Sequence, residues 1–446
     1  MREFLVELYG EHLEEASFLY GQCRYLRNDA EMPWTGLAAF EQRLEAHLDA
    51  LMVGGDLALE VCRQRATAGD AGELFAAISV GCRYGDSALL SHAWAALEGD
   101  KPDQTAAATY ALQAGLPDTW NKRCMVSLQQ GGGALTSALA RVAGYRRLRS
   151  GSAWSRTLAQ AVSNDERQSI LWAMGRCADR GSAGWIEPMY RAPEAAVRAA
   201  ALRAGLLLGD AFALDSAIDA DAPGSSPIAQ ALGGGSRVVR EILKELRGAD
   251  SPPEAIVALG LLGDLSAVRP LVDLLEFQTT GDAAAQSLFV VTGAPMFEAT
   301  FVPDAVPEDE LLNDELMQLR RTGDLPIRSD GRPFGSTVTR LSREPAAWKD
   351  WMTRNARRFT AGKRYRFGVP CSPMVTLRGM LNELTPKPFR PLFLDELKIR
   401  HKIDLALEVD MPVSVQKLTL ERFLESSLPE LSNRAGGWHF GGVEVT

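Results

Sequence analysis

Between Asp70 and about Ala294 one pattern returns at roughly thirty residues. A polar or turn-forming start, often Asp or Pro, opens a run of small apolar residues. A Gly-Asp or similar break and a second, shorter apolar run follow. The starts fall near Asp70, Asp103, Gly133, Asp165, Pro193, Ser225, Pro253 and Asp282, at steps of 33, 30, 32, 28, 32, 28 and 29 residues. One helix pair of this length cannot bury its apolar face alone, so neighbours must stack. The fixed period therefore predicts an all-α fold, a solenoid of helix pairs that mainly makes surface for holding other molecules.

The clearest unit opens at Pro193-Glu194, which suits the first turn of a helix: Pro has no N–H to lose there, and Glu favours the positive end. Ala195 to Leu202 continue it, Gly209-Asp210 closes it, and Ala213 to Ile218 makes a short second helix. Pro253-Glu254, Leu261-Leu262-Gly263-Asp264 and Val268 to Leu275 form an almost parallel unit. Alanine suits both demands of such an array, close helix approach and high helix propensity. Trp120, Trp154, Trp172 and Trp185 are expected to fill spaces between units.

The repeats, assigned to residues 67–295, are framed by different segments. Residues 1–66 read as a helical N-terminal domain: Leu5, Leu8, His12, Ala16, Leu19, Cys23 and Leu26 share one helical face. A break at Asn28 to Pro33 precedes a stripe at Leu37, Phe40, Leu44, Leu48 and Leu51, which Gly54-Gly55 ends. A third helix is expected over Leu57 to Ala66. Residues 296–345 read as a loop or insertion with little regular structure. Its first part, Glu298 to Glu315, holds seven acidic residues (Glu298, Asp304, Glu308, Asp309, Glu310, Asp314, Glu315) and no Lys or Arg; its second part is rich in Gly, Pro and Arg. Residues 346–446 read as a C-terminal helical segment with a Gly-rich tail.

The chain of 446 residues is too long for one compact core, which agrees with an extended array. A net charge of -9 argues against a general nucleic-acid binder and leaves room for a basic protein partner. No run approaches the length needed to span a bilayer, and the opening Met1-Arg2-Glu3-Phe4-Leu5 lacks the apolar core of a signal peptide. Cys23, Cys62, Cys82, Cys124, Cys177 and Cys371 lie far apart, mostly inside apolar helical patterns. Buried free thiols in a reducing compartment are the expectation, and with them a cytoplasmic protein.

No catalytic constellation stands out. The five histidines are scattered, without a His-x-x-x-His pair or a Cys/His cluster, so no metal site is expected. Gly131-Gly132-Gly133 and Gly233-Gly234-Gly235 lack the Lys-Ser/Thr end of a phosphate loop and read as turns. The acidic stretch does not have the spacing of a calcium loop. No cofactor is expected, and the chain reads as a non-enzyme. The one charge feature with functional promise is a basic cluster, Arg354, Arg357, Arg358, Lys363, Arg364 and Arg366, interleaved with Phe359, Tyr365 and Phe367. Residues 346–410 carry 13 basic and 7 acidic side chains. The cluster could meet phosphate, the acidic stretch or a partner protein; Arg354, Arg357, Arg358, Lys363, Arg364, Tyr365 and Arg366 are the candidate partner-binding residues.

Two stretches carry a family resemblance. Glu11-His12-Leu13-Glu14-Glu15-Ala16-Ser17-Phe18-Leu19 and Arg43-Leu44-Glu45-Ala46-His47-Leu48-Asp49-Ala50-Leu51 resemble the N-terminal signature of an uncharacterised proteobacterial HEAT-repeat family. Arg332-Pro333-Phe334-Gly335, Trp348, Trp351 and Gly362-Lys363-Arg364-Tyr365-Arg366-Phe367-Gly368-Val369-Pro370 resemble its C-terminal signature. The Leu-Gly-Asp units are similar to the short HEAT-like repeats also seen in phycobilisome lyases. Members of the family lie near type VI secretion genes, and the resemblance implies an adaptor, chaperone or immunity-type partner of a secretion effector, a spike-associated protein or a toxin. It supplies no catalytic residue. Two other readings stand beside this one. One is a nucleic-acid-binding protein resembling the DNA glycosylases built on such repeats, against which the acidic array speaks. The other is a lyase or chaperone of the phycobilisome type, which rests on analogy of fold alone.

Overall fold

The computed structural model describes residues 1–149, 152–177, 180–219, 226–303, 311–323, 327, 331–427 and 435–445. Three helices open the chain: α1 (Arg2–Asn28), α2 (Ala38–Val53) and α3 (Gly55–Ala68). The expected face of α1 is confirmed in its second half, where Ala16, Leu19 and Cys23 are buried, while Leu13 and Tyr20 join them. In the repeats, inner and outer helices alternate. They are α4 (Ala71–Tyr84), α5 (Ser87–Glu98), α6 (Pro102–Gly115), α7 (Asn121–Gln130), α8 (Gly133–Tyr145), α9 (Ser152–Gln160) and α10 (Asn164–Cys177). The second half continues with α11 (Ala183–Ile186), α12 (Ala195–Leu208), α13 (Ala211–Ile218), α14 (Pro227–Gly233), α15 (Ser236–Leu243), α16 (Pro253–Leu262), α17 (Val268–Asp273) and α18 (Gly281–Thr292). The even-numbered helices from α4 to α18 begin within three residues of the eight sequence starts and pack on one another in order. The odd-numbered ones return the chain, so successive inner helices run the same way.

The Gly-Asp breaks have a defined job. Gly85, Gly209 and Gly263 adopt positive φ (69°, 77° and 71°) and end α4, α12 and α16. The Asp that follows accepts a backbone N–H of the next element, from Leu89, Phe212 and Ser266 respectively. A left-handed C-cap and an N-cap thus occupy two consecutive residues. Gly263 has a second reason to lack a side chain: a Cβ there would meet the Tyr365 carbonyl oxygen at 2.1 Å. Trp154 is fully buried, and Trp120 and Trp172 are half-buried against the core. Trp185 departs from expectation, since 56% of it is exposed and it fills no space between units.

The insertion at 296–345 is more regular than expected. Strands β1 (Phe297–Pro303) and β2 (Gly335–Leu341) form an antiparallel ribbon in which Phe297 faces Leu341 and Pro303 faces Gly335. A helix, α19 (Asn313–Thr322), lies between them in sequence. Of the acidic residues expected there, Glu298, Asp314 and Glu315 are in these elements; Asp304, Glu308, Asp309 and Glu310 lie outside the described residues. Arg340 of β2 pairs with Glu31 in the α1–α2 connection, which ties this arm to the start of the chain.

The C-terminal segment is helical, as expected: α20 (Pro345–Asn355), α21 (Pro373–Leu381), α22 (Arg390–His401) and α23 (Val413–Ser427). Two short ribbons accompany it, β3 (Tyr365–Arg366) with β4 (Val369–Pro370), and β5 (His439–Phe440) with β6 (Val443–Glu444). Here α22 lies across the inner row, against α12 and α14. Its Glu396 is fully buried and receives Arg364, Arg366 (2.6 Å) and Arg400 (3.4 Å). Three cations around one carboxylate leave positive charge over, and the carbonyls at the ends of the inner helices take it up. Arg364 and Arg366 donate to Leu261 and Leu262 at the end of α16, and Arg400 donates to Ala231 and Gly234 at the end of α14. Those carbonyls are the orphaned, negative ends of the helices. Asp395 binds Arg176 of α10 (2.5 Å) and Arg203 of α12 in the same manner. At the far end Lys387 donates to the carbonyls of Leu26, Arg27 and Asp29, which close α1. Among the described residues no helix is long and apolar enough to cross a membrane.

Two outcomes follow from this packing. Burial alone would raise the Glu396 and Asp395 carboxyls, but the arginines hold both below their ordinary values of 4.5 and 3.8. Their stabilisation is therefore present above those values and lost as pH falls below them. Glu396→Gln leaves buried arginines without a carboxylate. It is expected to cost about 3–5 kcal/mol in urea unfolding and to flatten the acid limb of the stability profile. All six cysteines are buried and none is in a disulfide, and burial pushes the Cys62, Cys82 and Cys124 thiols up to about 12. Ellman's reagent should find no fast thiol in the native protein and all six in guanidinium; a fast native thiol would contradict the packing.

Candidate binding groove

The seven candidate residues do not form one surface. Arg354, at the end of α20, and Arg357, Arg358 and Lys363 beyond it are exposed. Arg364, Tyr365 and Arg366 are buried, at 1%, 1% and 0% exposure. The two arginines belong to the Glu396 cluster, and the Tyr365 hydroxyl accepts the Thr360 N–H (2.5 Å). These three residues therefore hold the fold and offer nothing to a partner from outside. Position explains the split: β3 is enclosed on both faces in the joint between the C-terminal segment and α16, so three successive residues are buried, whereas α20 and its exit lie on the outside.

The open surface lies elsewhere. The C-terminal segment docks at the C-terminal ends of the inner helices and leaves their N-terminal halves uncovered. A cavity of about 780 Å³ lies over the first turns of α6, α8 and α10. It is bounded by the last turns of α1 and by Asp410. A second, of about 390 Å³, continues over α10, α12 and α14, and Arg141 lines both. Small side chains make the floor: Ala106, Ala134 and Ala138 in the first, Ala196, Ala199 and Ala200 in the second. The sequence's alanine runs thus serve twice, packing helices on one side and opening a trough on the other.

One polar knot sets the end of this groove. Arg27 donates to the Tyr110 hydroxyl (2.9 Å) and to Glu41 (3.1 Å), and the Tyr110 hydroxyl donates to the Asp410 carbonyl (3.3 Å). The knot joins α1, α2, α6 and the C-terminal segment. Burial pushes the Tyr110 phenol up to about 12, with Arg27 opposing it, and raises the Asp410 carboxyl. Arg24 lies over the Tyr20 ring at 5.7 Å, and Arg141 over Trp172 at 5.1 Å. Arg24 and Arg141 have no carboxylate within 4 Å among the described residues. No group of three or more His, Cys, Asp or Glu side chains suited to a metal occurs among the described residues. The arrangement presents a small-residue floor, aromatic faces, and two guanidinium groups that lie over those faces with no carboxylate within 4 Å among the described residues. Sequence reasoning missed Arg24, Arg27, Tyr110 and Arg141 because they come from three helices; the only hint was that Arg24 and Arg27 sit just before the break at Asn28.

Tyr110→Phe removes a hydroxyl that both accepts and donates inside the knot. A loss of about 1–2 kcal/mol is expected in urea unfolding, with the helical circular dichroism unchanged. No protein-family model matches the chain, and no curated protein matches it.

Proposed function

We propose that the protein is a non-enzymatic binding scaffold that holds an extended segment of a partner protein along the N-terminal halves of its inner helices. The observation that carries this reading is a pair of cavities, floored by alanines, that adjoin at Arg141 and together run as a trough from α6 to α14. Packed helices lie roughly 9 Å apart, so the trough spans on the order of 35 Å. An extended chain rises about 3.3 Å per residue, so about ten residues of a partner would fill it. The resemblance to a family found near type VI secretion genes puts that partner among secretion effectors, spike-associated proteins or toxins. The role is then that of an adaptor, chaperone or immunity-type protein, working in the cytoplasm, where six thiols outside disulfides stay reduced.

The nucleic-acid reading loses part of its support, because Arg364, Arg366, Arg390 and Arg400 of the basic segment are buried against carbonyls and side chains, which leaves Arg354, Arg357, Arg358 and Lys363 exposed. A phosphate backbone needs exposed cations.

The test is to purify the tagged protein from its native host, identify the partner by mass spectrometry, and repeat the capture with recombinant components. Ala134→Trp and Ala196→Trp, both at exposed positions on the trough floor, should weaken capture tenfold or more without shifting Tm. Arg357→Glu with Arg358→Glu should leave it unchanged. Capture insensitive to both Trp variants would remove the trough as the interface.

A further inference from the structure

Behind the polar knot lies a further cavity of about 770 Å³, enclosed by α1, α2, α4, α6 and the start of α23. It shares Tyr20, Arg24, Arg27 and Tyr110 with the outer cavity. Its wall is mainly apolar, with Leu44, Leu48, Phe75, Ala111, Met411 and Val413 contributing. A space of this size is in the range of small-molecule sites. The acids along it are committed. Glu41 takes Arg27 (3.1 Å) and the Val413 N–H (2.7 Å), and Glu45 takes Arg83 (2.5 Å).

The mouth differs in chemistry. Arg24 and Arg141 stand there with no carboxylate within 4 Å among the described residues, and Asp410 is the acid whose charge Arg141 feels. The buried Tyr20 hydroxyl makes no formed hydrogen bond, although Arg24 stands beside it. Gly132 precedes α8 as an N-cap residue with no side chain to cap it, so the first N–H groups of the helix can face an anion. Three acids also line the mouth. Asp100 and Asp165 are exposed at the rim, where solvent and salt screen them. Asp410 is half-buried; burial raises its carboxyl, and the charges of Arg27 and Arg141 oppose that rise.

We propose that the two cavities form one site for a small amphiphilic anion, a linear apolar chain with a carboxylate or phosphate head. The chain lies in the inner cavity between α2 and α6, and the head sits between Arg24 and Arg141. A cationic amphiphile would bring its charge against the same two guanidinium groups and is expected to bind more weakly. The inference does not rest on the partner-protein reading, since it concerns what the isolated chain binds.

The experiment is isothermal titration of the purified full chain, below micelle concentrations, with dodecanoate, dodecyl phosphate, dodecyltrimethylammonium and inorganic phosphate. Saturable one-to-one binding of the two anionic amphiphiles is expected, with the ammonium and the free phosphate at least tenfold weaker; the stronger of the two heads identifies the class. Arg24→Glu with Arg141→Glu should weaken dodecanoate binding tenfold or more, and Arg24→Gln with Arg141→Gln should weaken it less. Ala114→Trp, at an exposed position lining the inner cavity, should abolish it with Tm unchanged. Equal affinity for both head charges, no binding of dodecanoate, or binding untouched in these variants overturns the proposal.

Discussion

Everything else in this molecule is arranged around a buried carboxylate, Glu396, and the arginines that converge on it. Arg364, Arg366 and Arg400 bring more positive charge than Glu396 can neutralise. In an apolar interior that excess would be prohibitive. It is tolerated because Arg364 and Arg366 reach the last carbonyls of α16, and Arg400 those of α14. The ends of stacked helices are a ready supply of unpaired acceptors, and a solenoid presents them in a row. Aromatic faces complete the enclosure: Arg366 lies 4.2 Å from the Phe393 ring centre and Arg364 lies 5.1 Å from that of Trp438.

This joint decides what surface remains. A helical array with parallel inner helices has one edge of carbonyls and one edge of N–H groups. The C-terminal segment, cationic through Arg364, Arg366, Lys398 and Arg400, covers the carbonyl edge. The opposite edge stays open over α6, α8 and α10, where alanines leave room and arginines of α1 and α8 face inward. The anchoring charges and the open trough are thus two consequences of one helix polarity.

The repeat was legible because its signals are local. Helix starts, the Gly-Asp cap pair and the alanine runs each act within a few residues of chain, and the eight predicted starts fall at the eight inner helices. The ribbon of β1 and β2 was not legible, since Phe297 pairs with Leu341 across an intervening helix and no short turn announces it. Nor was the fate of the basic cluster. In sequence, Arg364 and Arg366 look like Arg357 and Arg358. Only Glu396, some thirty residues on, and Leu261, about a hundred back, distinguish them.

The sequence by itself determined that this chain stacks helix pairs, where each pair begins, and that its cysteines are buried, because capping, periodicity and burial of apolar faces are short-range rules. The tertiary structure alone decided which charges are interior and which face of the array is left open. Those outcomes depend on pairing groups from distant segments, Asp395 with Arg176 and Arg203, and Arg27 with Glu41 and Tyr110. The energy of such a pair is set by desolvation and distance, neither of which exists until the chain has folded.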